Sequence, residues 1–467
     1  MPLSKDQTHS NVLISDLSTK GLGVARIDNV VVFIDHTYPG DRVTIRLTKK
    51  KKDHFESKLL SVDQLSEKRV KAFCRHFKDC GGCKIQDLDY TFQLEYKQSV
   101  VVQNFKRIGK LQNANILPIL AAPKQVFYRN KLEFSFSDKK WISGEEFNKD
   151  TLFPKENALG FHVKGRFDQI IDIQQCHLQT EPANKIRNFI RSYALEHQIS
   201  FSDLREHTGL LRSLFIRNTS TNEWMVNLVL RSDEQDIIRP LLNKLQEKFP
   251  LITSLFYTIN PKVNDSLYEL TPTLFSGKEY ITEKLEHLKI QLGPKSFFQT
   301  NSTQALRLYE VVKDFAEINK KQIVYDLYSG VGSIGLFLAD SAKKVIGIET
   351  VEESVAEAEK NKALNAIDNA EFHCGIVEKM LDKSFFDEHG KADIIILDPP
   401  RPGLHQDVIE VLLEVEAEKI VYVSCNPSTQ ARDLQLLSSK YEMIKSQPVD
   451  MFPHTLHVEN VALLKMK

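Results

Sequence analysis

The chain has 467 residues, and its 62 lysines and arginines are balanced by 62 aspartates and glutamates. That length is too great for one ordinary core and predicts two or three domains, while ordinary apolar content with abundant charge excludes a disordered chain. No apolar run is long enough to cross a bilayer, and zero net charge gives no overall attraction to nucleic acid, so such a partner has to be met by a local patch.

The opening residues lack the apolar core of a secretory signal, which predicts a cytoplasmic protein. Residues 10–62 read as short strands at 11–15, 23–27, 30–34 and 42–47, with turn signals at Lys20-Gly21, Asp28-Asn29 and Pro39-Gly40-Asp41. Strands so closely spaced predict a small barrel, a shape often used on nucleic acid. Seven basic residues lie between Arg42 and Lys58, among them Lys49, Lys50, Lys51 and Lys52. Charge alone fits a phosphate-binding face or a solvated loop.

Of six cysteines, Cys74, Cys80 and Cys83 cluster, Cys176 stands apart, and Cys374 and Cys425 lie in the last third. In a cytoplasmic chain such a cluster predicts metal ligation before disulfides. Three thiolates need a fourth ligand, and Cys176 is the candidate ahead of His76 and His177. Gly81 and Gly82 let the backbone turn tightly between Cys80 and Cys83. Four sulfurs suit zinc or an iron–sulfur cluster, and the spacing does not choose between them.

Apolar residues from 90 to 110 are spaced for a helix. Residues 127–136 alternate aromatic rings with Arg129 and Lys131, as a single-strand nucleic-acid surface or a half-buried strand would. Further strands at 213–217, 224–231 and 254–259, with helices at 183–197 and 233–248, predict an α+β region to about residue 285.

The last 180 or so residues read as an open α/β sheet. Residues 323–338 are strand, glycine loop and helix, with Gly330, Gly332 and Gly335 in G-x-G-x-x-G register. A second strand follows and ends in Glu349, placed to hydrogen-bond ribose hydroxyls. The pattern is most often a dinucleotide site. Asp326 at the first strand's end, and Asp398-Pro399-Pro400-Arg401 at the end of another, point instead to S-adenosylmethionine. Ile420 to Val423 form a buried strand stopped by Ser424-Cys425-Asn426-Pro427, which holds a thiol where such sheets bind ligands.

With Asp398-Pro-Pro-Arg401, Ser424-Cys425-Asn426-Pro427 and His457-Val-Glu459 together, the chain resembles the RNA uracil-5-methyltransferases, in particular the branch that modifies 23S ribosomal RNA. The resemblance covers nearly the whole chain. It implies a multidomain α/β protein: an RNA-binding TRAM barrel over residues 1–62, a central α+β domain over 63–285 with an iron–sulfur cluster, and a Rossmann-like methyltransferase domain over 286–467. The helical stretch 91–124 would pack on the last. By the same resemblance Cys425 is the nucleophile and Glu459 the general base. Gln299, Tyr328, Gly330, Gly332, Ser333, Glu349 and Asp398 match cofactor positions. Cys74, Cys80, Cys83 and Cys176 match ligands of a [4Fe-4S] cluster, with structural zinc as the alternative. Ribosomal RNA is the expected partner and transfer RNA the other; the chain is expected to act as a monomer without a membrane. Two departures stand out. Ile376 occupies a place where many members carry an acid that holds adenine, and Ser329 replaces a cysteine of some relatives.

The chemistry suits those residues. Carbon 5 of uracil is a weak nucleophile until a thiolate adds at carbon 6, and a base must then take the carbon 5 proton. The base has to leave its stack, and Phe297 or Phe298 is the candidate platform, with Asp398 or Arg401 orienting the uracil edge. Cytosine-5 methylation uses the same addition, but Asp-Pro-Pro-Arg speaks against it. An RNA-binding scaffold without catalysis has no use for Cys425 and Glu459.

Overall fold

The computed structural model describes residues 3–142, 156–163 and 166–467. At the amino end, strands Thr8–Leu13, Asp16–Leu17, Gly23–Ile27, Val30–Ile34, Arg42–Lys50 and His54–Gln64 form one sheet. It closes because residues 8–17 pair with Arg42–Lys50 through their first part and with Gly23–Ile27 through their second. Ile14, Ala25, Val32, Ile34, Val43, Ile45, Leu47 and Phe55 fill the interior. The last strand was not expected. Along His54–Gln64 only Phe55 is deeply buried, so the period-two signal is faint, and partners on both sides make it a strand. Arg69 anchors the barrel to the following segment, donating to Asp41 at 2.8 Å and Asp87 at 2.6 Å.

The central sheet has the order Thr273–Gly277, Ile252–Ile259, Trp224–Leu230, Leu211–Asn218, Lys131–Ser137, Ala158–Val163 and Arg166–Asp172. Helices Glu181–Glu196 and Gln235–Lys248 cover it, with Ile186, Ile190, Leu241 and Leu245 in a shared core. Residues 127–136 are not one strand. Phe127 has a φ of +54°, pairing begins at Lys131, and Phe134 and Phe136 are fully buried. The aromatic alternation there is packing.

In the carboxyl-terminal sheet, parallel strands Ala370–Cys374, Lys344–Glu349, Ile323–Leu327, Ile394–Leu397 and Lys419–Ser424 lie side by side. Glu459–Met466 then pairs antiparallel with Lys419–Ser424, and Tyr441–Val449 closes the edge. Strand order reverses between Ile323–Leu327 and Ile394–Leu397, so the carboxyl ends open a crevice there. The hairpin Ile281–Leu285 and Leu288–Leu292 buries Ile281, Leu285, Ile290 and Leu292 in the same core as Val324, Ile394 and Val461. A boundary at 285/286 therefore falls on the hairpin's tip, and the packed unit begins near residue 281. Helix Tyr90–Arg107 lies on the other face, with Tyr96, Val101 and Phe105 against Tyr325, Ile395 and Tyr422. Ile116 and Leu120 bridge to Ser446 and Val449 at the sheet's edge. Among the described residues no helix is long and apolar enough to cross a membrane.

Candidate active site

The loop after Ile323–Leu327 bends through three left-handed residues, Tyr328 (φ +67°), Gly330 (φ +54°) and Gly332 (φ +77°). A side chain on Gly332 would strike the Phe372 ring at 2.7 Å, whereas nothing lies within 4 Å of a Cβ built on Gly330. Gly332 fixes packing, and Gly330 faces open space. Beneath the loop, Asp326 is 1 % exposed. One of its carboxylate oxygens accepts from the Gly335 N–H at 2.8 Å, and the other is buried without a partner. Burial, with Asp398 and Glu349 adding repulsion, pushes its pKa up to about 7. An oxygen in that state wants a cation.

Glu349 closes the loop from the next strand, accepting from the N–H groups of Gly330 at 3.1 Å, Thr350 at 2.7 Å and Val351 at 2.9 Å. Burial raises Tyr328 to about 12, and Ser333 shares a 2.8 Å hydrogen bond with the Tyr309 hydroxyl. Gln299 is buried on a loop fixed by the central sheet. Asn130 Nδ2 donates to the Gln299 carbonyl at 3.0 Å, and Arg217 donates to the Ser296 carbonyl at 2.6 Å. In this loop Phe297 is 68 % exposed and Phe298 is 3 % exposed. Phe298 belongs to the core, so only Phe297 is free to receive a base.

Cys425 follows Lys419–Ser424, and Glu459 opens the strand paired with it: Ser424 lies opposite Asn460, which sets the thiol and the carboxylate side by side. Asn426 explains the turn. Its side chain caps helix Pro427–Leu437, and its Nδ2 donates to the Arg401 carbonyl at 3.1 Å, while Thr429 donates to the same oxygen at 3.2 Å. The Asp398–Arg401 loop is thus tied to the cysteine turn. Gln430 and Asn460 lock the strands together: Gln430 donates to the Tyr422 carbonyl at 2.9 Å, and Asn460 donates back to Gln430 at 2.7 Å.

Two carboxyls and a thiol here share one field. Burial raises Glu459 to about 7, with Arg401 opposing. Burial and Glu459 raise Asp398 to about 8. Burial, then Glu459 and Asp398, push Cys425 up to about 11, and Arg401 pulls it down. A buried carboxyl that titrates near neutrality beside a thiol is a perturbed pair of the kind that catalysis uses.

Cys74, Cys80, Cys83 and Cys176 line one cavity of about 120 Å³ together with Leu132, Phe161 and Ile173. All four are free thiols, and burial raises the pKa of each, Cys80 to about 11. Among the described residues no three of these sulfurs gather within 4.8 Å of one another.

Residues 271–467 match the tRNA (Uracil-5-)-methyltransferase family and residues 8–60 match the TRAM domain. An uncharacterized RNA methyltransferase of Bacteroides thetaiotaomicron is 46% identical over 97% of this chain and 100% of its own length. One from Porphyromonas gingivalis is 45% identical over 97% of this chain and 98% of its own. This chain belongs to the RNA uracil-5-methyltransferase family. Among solved structures, the Pyrococcus abyssi tRNA (uracil-54, C5)-methyltransferase in complex with S-adenosyl-L-homocysteine is similar, with a TM-score of 0.75, 27% identity and coverage of 98% of this chain and 100% of that one.

The methyltransferase is S-adenosylmethionine-dependent and acts on RNA, and its carboxyl-terminal fold has an unpartnered Asp326 oxygen and an open face at Gly330 suited to that cofactor. Of the residues expected from sequence, Tyr328, Gly330, Glu349 and Asp398 meet at the strand ends beside Cys425 and Glu459. Ser333 stands one step back, on Tyr309, and Gly332 serves the packing of the loop. Ile376, the residue noted in the sequence as a departure, is exposed just after Ala370–Cys374. Sequence reasoning missed Asn130 and Arg217. They sit in the central domain yet fix the loop that carries Gln299, and only the Arg129-Asn130-Lys131 run gave a hint of polarity there.

Proposed function

We propose that this enzyme methylates carbon 5 of a uridine in 23S ribosomal RNA through a Cys425 adduct at carbon 6, with Glu459 as the base. The observation that carries the reading is the pairing of Ser424 with Asn460, which puts a thiol and a buried carboxyl on adjacent strand ends. S-adenosylmethionine supplies an electrophilic methyl group when bound. Asp326 would hold its ammonium, Glu349 its ribose hydroxyls, and Gln299, Tyr328, Gly330 and Ser333 the rest of the site, with Ile376 as an apolar face for adenine. The Cys425 thiolate adds to carbon 6, and its electron pair makes carbon 5 enolate-like so that it takes the methyl. Glu459 then accepts the carbon 5 proton, the ring regains its double bond, and the carbon–sulfur bond breaks to return the thiolate. Arg401, the positive neighbour of all this negative charge, favours the thiolate and the ionised base.

The four cysteines fit a [4Fe-4S] cluster better than zinc. A tetrahedral zinc ion with bonds of ~2.3 Å needs sulfurs ~3.8 Å apart, and no three of these approach within 4.8 Å. The wider spread suits a larger centre held by four thiolates. The barrel, this segment and the Cys425 motif together support the ribosomal branch, acting as a monomer in the cytoplasm. The tRNA methylation named for the Pyrococcus abyssi structure gives the second reading. Mass mapping of ribosomal and transfer RNA from a deletion strain tests the two. Loss of one 5-methyluridine from 23S RNA supports the first, and loss from transfer RNA alone overturns it.

A further inference from the structure

Residues 450–458 lead into the strand that begins with Glu459, and the loop is held from outside the catalytic domain. His454 is its most constrained member. It is 4 % exposed with a φ of +66°, a region that a histidine seldom occupies. Its N–H donates to Gln93 Oε1 at 2.8 Å. Its carbonyl accepts from the N–H groups of Lys84 at 2.8 Å and Ile85 at 3.2 Å, the two residues directly after Cys83. Gln93 Nε2, which also donates to the Leu88 carbonyl at 2.8 Å, reaches the His454 Nδ1 at 3.2 Å. The amide nitrogen can only donate, so Nδ1 accepts and the ring is neutral.

Packing adds to this clasp. Phe73, beside Cys74, stands edge-on to the rings of His454 and His177, with 5.3 Å between centroids in each case. His177 follows Cys176. Segments that flank Cys74, Cys83 and Cys176 therefore close on one residue five positions before Glu459. A strained backbone persists only where its surroundings over-determine it, and here they do so from the cysteine-bearing side.

We infer that His454 is a positioning residue that transmits the geometry of the four-cysteine segment to Glu459. This rests on the reading of Cys425 and Glu459 given above. Occupation of the cysteine centre fixes residues 84 and 85, these fix the His454 carbonyl, and the loop then delivers the carboxyl to its place beside the thiol. Cofactor binding, which uses other strand ends, does not depend on the chain of contacts.

The experiment compares His454→Ala with His454→Asn in the metal-loaded full-length protein. Asparagine tolerates a positive φ and keeps an oxygen that can accept from Gln93; alanine does neither. The alanine variant should keep its metal content and its KM for S-adenosylmethionine. Hydrogen exchange should quicken in residues 450–458 and not across the central sheet. Its kcat should fall by about tenfold to a hundredfold, as expected for a misplaced group. The acid limb of its pH profile should move to lower pH as water reaches Glu459, and asparagine should restore most of the loss. Removing the metal from the wild-type protein with a chelator should quicken exchange in the same residues. Unchanged exchange and kcat in the alanine variant would overturn the inference. So would equal impairment of both variants with faster exchange throughout the central sheet, which would leave His454 a packing residue. If the alanine variant does not fold, Gln93→Met removes the same clasp from the helix side and is read the same way. Normal turnover by Glu459→Gln would sink the base assignment, while the exchange comparison would still decide the coupling.

Discussion

Cys425 and Glu459 sit on paired strand ends, and the opposite duties proposed for them predict opposite failures. Cys425→Ala should lose methyl transfer altogether while still binding S-adenosylmethionine, because the duty proposed for the thiol lies with the uracil and not with the cofactor. Glu459→Gln should methylate once and then stall, since glutamine cannot take the carbon 5 proton. A protein–RNA adduct that survives denaturing electrophoresis is the expected sign; normal release of product would remove Glu459 from the role. The wild-type pH profile follows from the same carboxyl. A base works when ionised, so with Glu459 raised to about 7 by burial, kcat should fall as pH drops through neutrality. Asp326 makes a separate prediction. Its folded pKa of about 7 lies well above the ordinary carboxylate range, so its protonated form favours the cofactor-free fold. That contribution is whole below pH 4 or so and is lost as pH rises through about 7. Asp326→Asn keeps an acceptor for Gly335 and should raise the Tm of the cofactor-free protein at pH 8 by at least about 3 °C, with no gain at pH 4 and with cofactor affinity lost. Thermal scans at the two pH values decide it.

At the scale of elements, the legible parts were those with a strong local period or a motif. The strand ending at Glu349, the glycine turn and the cysteine strand were all readable because parallel strands buried on both faces are continuous apolar runs. His54–Gln64 was not, since charge hides its alternation. Helix Tyr90–Arg107 shows another limit. Its apolar spacing marks it as a helix, but Lys97 reads as an ordinary surface lysine. In the fold Lys97 and Asp450 are both fully buried and 2.5 Å apart, with Tyr90 donating to the same carboxyl at 2.8 Å. No local pattern joins residues so distant in sequence. Lys97→Met should strand a buried carboxylate and cost about 3–5 kcal/mol, read from urea unfolding at neutral pH. The cysteine segment carries its own test. Serine at any one of Cys74, Cys80, Cys83 or Cys176 should yield colourless, iron-poor protein, whereas a colourless wild type with one zinc per chain would favour the zinc reading.

Over the whole molecule, the question is how a chain with no net charge grips a polyanion firmly enough to extract a base. Sequence located the basic cluster but left its setting open between a binding face and a loop. The fold makes Lys49 and Lys50 the end of strand Arg42–Lys50 and puts Lys51 and Lys52 in the turn that follows, all four exposed. The strand starts next to Asp41, which is bound to Arg69 where the barrel meets the rest of the chain. At ~3.4 Å per residue the lysine turn stands roughly 27 Å along the strand from that anchor. Only Lys51 has an acid in reach among the described residues, Glu56 at 3.6 Å, and an exposed pair at that distance is weak. The cluster is therefore available to phosphates. Lysine contacts of this kind position RNA without reading its sequence, and each one lost flattens the salt dependence of binding. Changing Lys49, Lys50, Lys51 and Lys52 together to alanine should raise the KM for RNA, by about tenfold or more at low salt, and reduce its dependence on salt. The turnover number at saturating RNA should stay close to wild type, because Cys425 and Glu459 lie outside the barrel. Measuring both constants at two salt concentrations separates the outcomes: an unchanged KM with the same salt slope would leave the four lysines as a solvated turn, and a fall in turnover at saturation would mean that the barrel shapes the bound RNA as well as attracting it.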